Sequence, residues 1–148
     1  VTSAADMADV VKSKAAEQDI IIMTAAVADF CPSHPADEKI KKNDSSYESV
    51  IELERTEDIL SYLGAHKAKG QLICGFSMET QNMLENSKAK LAKKNADMIV
   101  ANNLKVAGAG FGTDTNVVTL ITADDCTELE IMDKSCVAAR IMDRLLQM

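Results

Sequence analysis

No run of eighteen or more apolar residues occurs in the 148 residues, and the longest candidate, 20–27, is closed by Asp29. A membrane-spanning helix is therefore excluded and a soluble, cytoplasmic protein is expected. Cys31, Cys74, Cys126 and Cys136 are far apart and form no CxxC pair. That removes zinc-ribbon and thioredoxin-type chemistry and leaves reduced thiols, with Cys74, inside an apolar run, reading as a small core residue. His34 and His66 lack ligand spacing to each other or to a carboxylate cluster, so a metal is expected to arrive with a substrate. A broad basic field is also missing. The net charge of -7 argues against a nucleic-acid surface, because binding a phosphate backbone needs such a field. Gly-x-Gly-x-x-Gly after a strand is absent too, which counts against a dinucleotide oxidoreductase. Gly108-Ala109-Gly110 follows Asn102-Asn103 by a loop and opens no helix. The chain starts at Val1, without an initiator Met or a charged-then-apolar leader, so upstream residues are expected to be missing.

What is present alternates between two periods. Thr2 or Ser3 followed by apolar positions at Met7, Val10 and Val11 reads as a capped helix ending near Gln18. Residues 19–24 are a β-branched run of the kind buried on both faces of a parallel sheet. The alternation recurs as a helix opening at Thr56 with Glu57 and Asp58 in its first turn, a strand over 71–76, a helix over 79–95 and a strand over 97–101. This predicts a single α/β domain with a three-layer, Rossmann-like, mostly parallel sheet. Residues 47–54 alternate like an exposed strand that projects as a β arm. Residues 116–122 and 128–132 read as a C-terminal β hairpin before a last helix over 134–146.

In open α/β sheets ligands bind beyond the carboxyl ends of the strands, so the segments after Thr24, Phe76 and Ala101 should meet over one crevice. Ala25-Ala26-Val27-Ala28-Asp29-Phe30 puts small residues there, which suit either tight packing or close backbone approach to a ligand. Asp29 follows apolar residues, and as a buried carboxylate it needs a ribose hydroxyl, a backbone N–H or a cation as partner; otherwise it caps a turn. Of the 16 Lys and Arg, seven fall in 39–42 and 88–94. Such runs suit either a solvated face or a small anionic ligand. With Leu84 and Leu91 as the buried stripe of the later helix, Lys90 and Lys94 flank it one turn apart, Lys88 lies on the other flank and Lys93 points away. On spacing alone they equally suit lysines snorkelling over the core.

Taken in order, Ala25-Ala-Val-Ala-Asp-Phe30, Glu38-Lys-Ile-Lys-Lys42, Gly75-Phe76 with Glu79-Thr80, then Lys90, Lys94 and Asp97, then Ala101-Asn102 and the Gly110-Phe111 turn closely resemble the bacterial phosphopantothenoylcysteine synthetase family. The resemblance covers essentially the whole chain. It implies a ligase that uses CTP with Mg²⁺, joins 4'-phosphopantothenate to cysteine through an acyl-cytidylate, and releases CMP and pyrophosphate. By motif it implies that Thr24, Ala25 and Ala26 line the nucleotide, and that Asp29 binds it or its cation. Lys39 contacts the triphosphate as the catalytic charge, Phe76 lies beside the nucleotide, and Lys90 and Lys94 hold it from their helix. Where the family has Asn-Pro-Asp-Ile, this chain has Thr56-Glu57-Asp58-Ile59, so contacts through Glu57, Asp58 and Ile59 are expected from the backbone. FMN belongs only to a decarboxylase domain that often precedes this one in the family. The family's opening strand, glycine-rich loop and Asn-bearing segment do not occur before Val1, so the chain alone is expected to be inactive. The arm over 42–54 resembles the family's dimerisation arm, implying a homodimer in which Lys39 serves its own or a neighbouring subunit's site. A noncatalytic nucleotide-binding or interaction module is the rival reading.

Overall fold

The computed structural model describes residues 1–39, 50–78, 83–103, 106, 109–110 and 112–148. Ile40, Lys41, Lys42, most of the expected arm, Glu79, Thr80 and Phe111 lie outside the described residues. The first helix, α1 (Ala4–Ala15), starts where the sequence places it. Ser3 accepts the Asp6 N–H and Asp6 accepts the Ser3 N–H in return, a reciprocal cap that satisfies two end-of-helix donors. It ends three residues early, because Gln71 reaches across and donates to the carbonyls of Ala15 and Gln18 at 2.7 and 2.6 Å.

β1 (Ile20–Met23), β4 (Leu72–Met78), β5 (Met98–Asn102), β7 (Val118–Ile121) and β8 (Cys126–Glu128) form one sheet in that order. The β1–β4 and β4–β5 ladders are parallel, and β5–β7 and β7–β8 are antiparallel, so four of the five strands run the same way. The predicted hairpin is thus the β7–β8 pair, built into the sheet, with its second strand at 126–128 rather than 128–132. Successive residues point to opposite faces of a strand, and the core divides accordingly. Ile73 and Ile99 pack against Ala8 of α1, Ile59 and Leu63 of α2 (Ile59–Ala65), and Leu91 of α3 (Met83–Lys94). Cys74, Met98, Val100, Val118 and Leu120 pack against Val137, Ile141 and Leu145 of α4 (Lys134–Leu145). This is the expected three-layer arrangement. Burial pushes the Cys74 thiol up to about 12, with the Asp97 carboxylate adding to the effect, which leaves it inert.

β2 (Phe30–Pro32) and β3 (Leu53–Arg55) form a separate antiparallel pair, and β6 (Thr115–Asn116) pairs with β9 (Met132–Asp133). Only Cys31 of the β2–β3 pair is better than exposed, as a projecting arm requires.

Three expectations need correction. β1 is half-buried rather than buried on both faces, and in the described sheet it pairs with β4 alone. The helix after Thr56 begins at Ile59, because Asp58 caps it by accepting the Ser61 N–H at 3.0 Å, leaving Glu57 outside. On α3 the buried positions are Ser87 and Leu91, while Leu84 is 46% exposed. The helix is turned that way because the Ser87 hydroxyl meets the Ser77 hydroxyl of β4 at 2.8 Å.

Candidate functional site

A cleft of about 310 Å³ opens beyond the carboxyl ends of β1 and β4. Its floor is Met23, Leu60 and Phe76; Ala25, Val27, Ala28 and Asp29 form one wall. Opposite contributions come from the link between β3 and α2, Arg55 to Asp58, and from Lys90 and Lys94 of α3. Thr56 ties two of these segments together: its N–H donates to the Asp29 carbonyl at 3.0 Å and its hydroxyl donates to the Ala28 carbonyl.

The two lysines are held by separate anchors. Lys90 donates to the Phe76 carbonyl at 2.9 Å, so its ammonium sits at the end of β4. Lys94 pairs with Asp58 and donates to the Ser61 hydroxyl at 2.9 Å. Both are half-buried, whereas Lys88 and Lys93 are exposed, so the flank positions read from helical spacing hold even though the stripe itself is turned. Burial raises the Asp58 carboxyl, but the Lys94 hydrogen bond, the Ser61 N–H and the Lys94 charge outweigh it, and the net shift is downward. Glu57 is also occupied, by Lys12 of α1 at 2.6 Å.

The carboxyl shifts have a consequence in acid. Asp6, lowered from 3.8 to about 2 first by the Thr2 hydroxyl and then by the Ser3 cap, and Asp58, lowered less, both ionise more readily folded than unfolded. Their stabilisation is complete above the unfolded value and is lost as pH falls through the folded one. The melting temperature should therefore drop between about pH 4 and pH 2, and Asp6→Asn and Asp58→Asn should each flatten that drop. A thermal melt series over this range that has the same slope in both variants as in the parent would refute the assignment.

Of the residues expected from sequence, Ala25, Asp29, Glu57, Asp58, Phe76, Lys90 and Lys94 line this one cleft. Thr24 and Ala26 are exposed on either side of Ala25. The Ile59 side chain is 4% exposed and belongs to the core, and Ile59 is not part of the cleft lining. Lys39 is exposed and is not part of the cleft lining. Asp29, expected to be buried, is exposed and stands directly before β2, outside the five-stranded sheet. The end of β5 does not join the lining. Asn102 instead bridges Ser77 and Asn116, donating to the Ser77 carbonyl at 3.4 Å and accepting from Asn116 at 2.8 Å. Sequence reasoning missed Arg55 and Thr56 as cleft residues. Their adjacency to Glu57 and Asp58 was the available signal.

The sheet thus carries, beyond its strand ends, a cleft lined by apolar residues and by Lys90 and Lys94. The chain belongs to the family described as the DNA/pantothenate metabolism flavoprotein C-terminal domain, whose profile matches residues 1–148. It is 48% identical over 146 residues to the coenzyme A biosynthesis bifunctional protein CoaBC of Bacillus subtilis (strain 168), covering 98% of this chain and 35% of that protein. It is 46% identical over 147 residues to a cysteine/cysteine sulfinic acid decarboxylase of an unknown prokaryotic organism, covering 99% of this chain and 40% of that one. Among solved structures, the C-terminal domain of a coenzyme A biosynthesis bifunctional protein CoaBC superposes with a TM-score of 0.78 at 41% identity, over 99% of this chain and 65% of that one. The chain thus spans little more than a third of the two curated relatives. Among the described residues no helix is long and apolar enough to cross a membrane.

Proposed function

We propose that this domain holds the nucleotide of a phosphopantothenate–cysteine ligase in coenzyme A biosynthesis. The observation that carries the reading is the placing of Lys90 and Lys94, one turn apart, in the same cleft as the small-residue segment that ends at Asp29. In this reading the 4'-phosphopantothenate carboxylate attacks the α-phosphate of CTP, releasing pyrophosphate. The cysteine amine then attacks the acyl-cytidylate and releases CMP. Both steps bring anions together or part them, so the protein's task is to position the reactants and neutralise charge. Lys90, fixed on the Phe76 carbonyl, keeps two ammonium protons for phosphate oxygens. Ala25 and Ala28 let the nucleotide lie against backbone, and Phe76 supports it from beneath.

Magnesium fits the donor set. Glu57 and Asp58 are committed to lysines, while Asp29 lines the cleft without an ion pair among the described residues. One carboxylate combined with phosphate oxygens and water is the usual magnesium environment. Mg²⁺ bound there would supply charge neutralisation on the triphosphate.

Lys39 keeps its proposed place as a charge on the triphosphate, supplied across a homodimer. The exposed apolar residues of the arm, Val50, Ile51 and Leu53, support that assembly. Titration calorimetry with Mg²⁺ should show CTP binding in preference to ATP, weakened about tenfold or more in Lys90→Ala and in Lys39→Ala. Equal binding of the two nucleotides would reject the CTP assignment. Sedimentation of the same samples reads the dimer, and a monomer at every concentration removes the role of Lys39 across subunits. If the chain binds no nucleotide, alone or with the family's upstream segment restored, the rival interaction module is the better reading.

A further inference from the structure

We propose that Arg55 is a phosphate-binding residue of this cleft, reaching it from the β2–β3 pair rather than from α3. The inference rests on the nucleotide reading above and adds a residue that neither the motifs nor the helix geometry indicates. Arg55 is the last residue of β3 and the direct cross-strand partner of Phe30 on β2. Its guanidinium carbon lies 5.2 Å from the centre of the Phe30 ring, and Arg55 is among the residues that line the cleft. An arginine over an aromatic face is held by the ring while the N–H groups at its edge stay free to donate.

The surrounding charges point the same way. Glu57 and Asp58, the carboxylates next along the chain, are taken by Lys12 and Lys94. The ion pairs among the described residues do not include Arg55. An arginine that serves only solubility needs neither an aromatic support nor a place in a cleft beside a lysine fixed on a strand end. A planar fork of donors held at the mouth of an anion cleft matches two oxygens of one phosphate group. The phosphate can come from the nucleotide or from the phosphorylated acid substrate, since both present the same oxygen geometry.

The test is titration calorimetry on the full 148-residue chain and on Arg55→Ala and Arg55→Lys, with three probes: CTP with Mg²⁺, inorganic tripolyphosphate, and 4'-phosphopantothenate. Arg55→Ala should weaken at least one probe by about tenfold to hundredfold, the loss expected for charge-assisted hydrogen bonds. Arg55→Lys, which keeps the charge and loses the fork, should fall between the two. A loss confined to CTP and tripolyphosphate assigns the nucleotide's phosphates, and a loss confined to 4'-phosphopantothenate assigns the substrate's. Because Arg55 is exposed on a surface pair, an unchanged circular dichroism spectrum is expected in both variants and keeps a folding defect apart from a binding one. If Arg55→Ala binds every probe within about twofold of the parent, the inference is overturned even where CTP binding still depends on Lys90. Arg55-dependent binding of tripolyphosphate or 4'-phosphopantothenate without CTP binding would remove the nucleotide reading and leave Arg55 standing. No binding of any probe by the parent, alone or with the family's upstream segment restored, overturns both.

Discussion

Gly64→Ala should lower the stability of the domain by about 3 kcal/mol, at the upper end of the usual overpacking cost, and its melting temperature by roughly 10 °C. A Cβ on Gly64 would stand 1.8 Å from the Lys94 carbonyl oxygen and 2.9 Å from its carbon, both backbone atoms that cannot swing aside. α2 and α3 touch backbone to backbone at this point. Asn95, left-handed at φ 49°, ends α3 and donates to the Gly64 carbonyl at 2.7 Å. Relieving the clash requires α3 to move, and α3 carries Lys90 and Lys94. The variant should therefore lose ligand affinity as well as stability. Asn95→Gly tests the same contact from the other side. It keeps the left-handed backbone at no steric cost and removes only the hydrogen bond, so about 1 kcal/mol is expected. Urea denaturation with an unchanged m-value reads both. A Gly64→Ala protein as stable as the parent would mean that the two helices do not meet there.

Asp97→Ala should cost about 3 kcal/mol, through a different mechanism. The Asp97 carboxylate accepts the Ile73 N–H at 2.7 Å and pairs with Lys67 at 2.8 Å, while its own N–H donates to the Ile73 carbonyl at 2.8 Å. Ile73, the second residue of β4, is fully buried. Deleting the carboxylate leaves that N–H without an acceptor inside the core, the costly half of breaking a hydrogen bond. Asp97→Asn keeps an acceptor and should lose only about half as much. Lys67→Met removes the cation alone, and because both partners are partly exposed, with side chains at 22% and 18%, its effect should be the smallest of the three. If chemical denaturation instead finds Lys67→Met equal to Asp97→Ala, the ion pair and not the Ile73 N–H is what matters. Phe76 and the carbonyl that anchors Lys90 lie on the same strand, three residues on, so slackening at Ile73 should reach the cleft.

The alternation of helix and strand was legible because it follows from burial. Strands covered on both faces read as continuous apolar runs, and α1 announced its start through a serine cap. Lys90 and Lys94 were legible as a pair because helical spacing is rigid over one turn. Leu84 was misplaced because leucine and serine compete for the inner face of α3. The outcome turned on Ser77, a partner on another element. Asp29 was expected inside because its neighbours are apolar, yet Ala28 and Phe30 on either side of it are exposed as well.

What the sequence by itself determined is the local and the periodic: the α/β class, the serine cap of α1, and the family to which the ordered motifs point. Only the tertiary structure decided that Arg55 joins the cleft, that Ile59 turns into the core and that Lys39 stays outside the lining. It also decided that Glu57 and Asp58 pair with Lys12 and Lys94. The placings of Arg55, Glu57 and Asp58 depend on contacts between residues more than twenty positions apart: Phe30 with Arg55, Lys12 with Glu57 and Asp58 with Lys94. Such contacts arise when strands pair and helices pack, and no spacing along the chain encodes them.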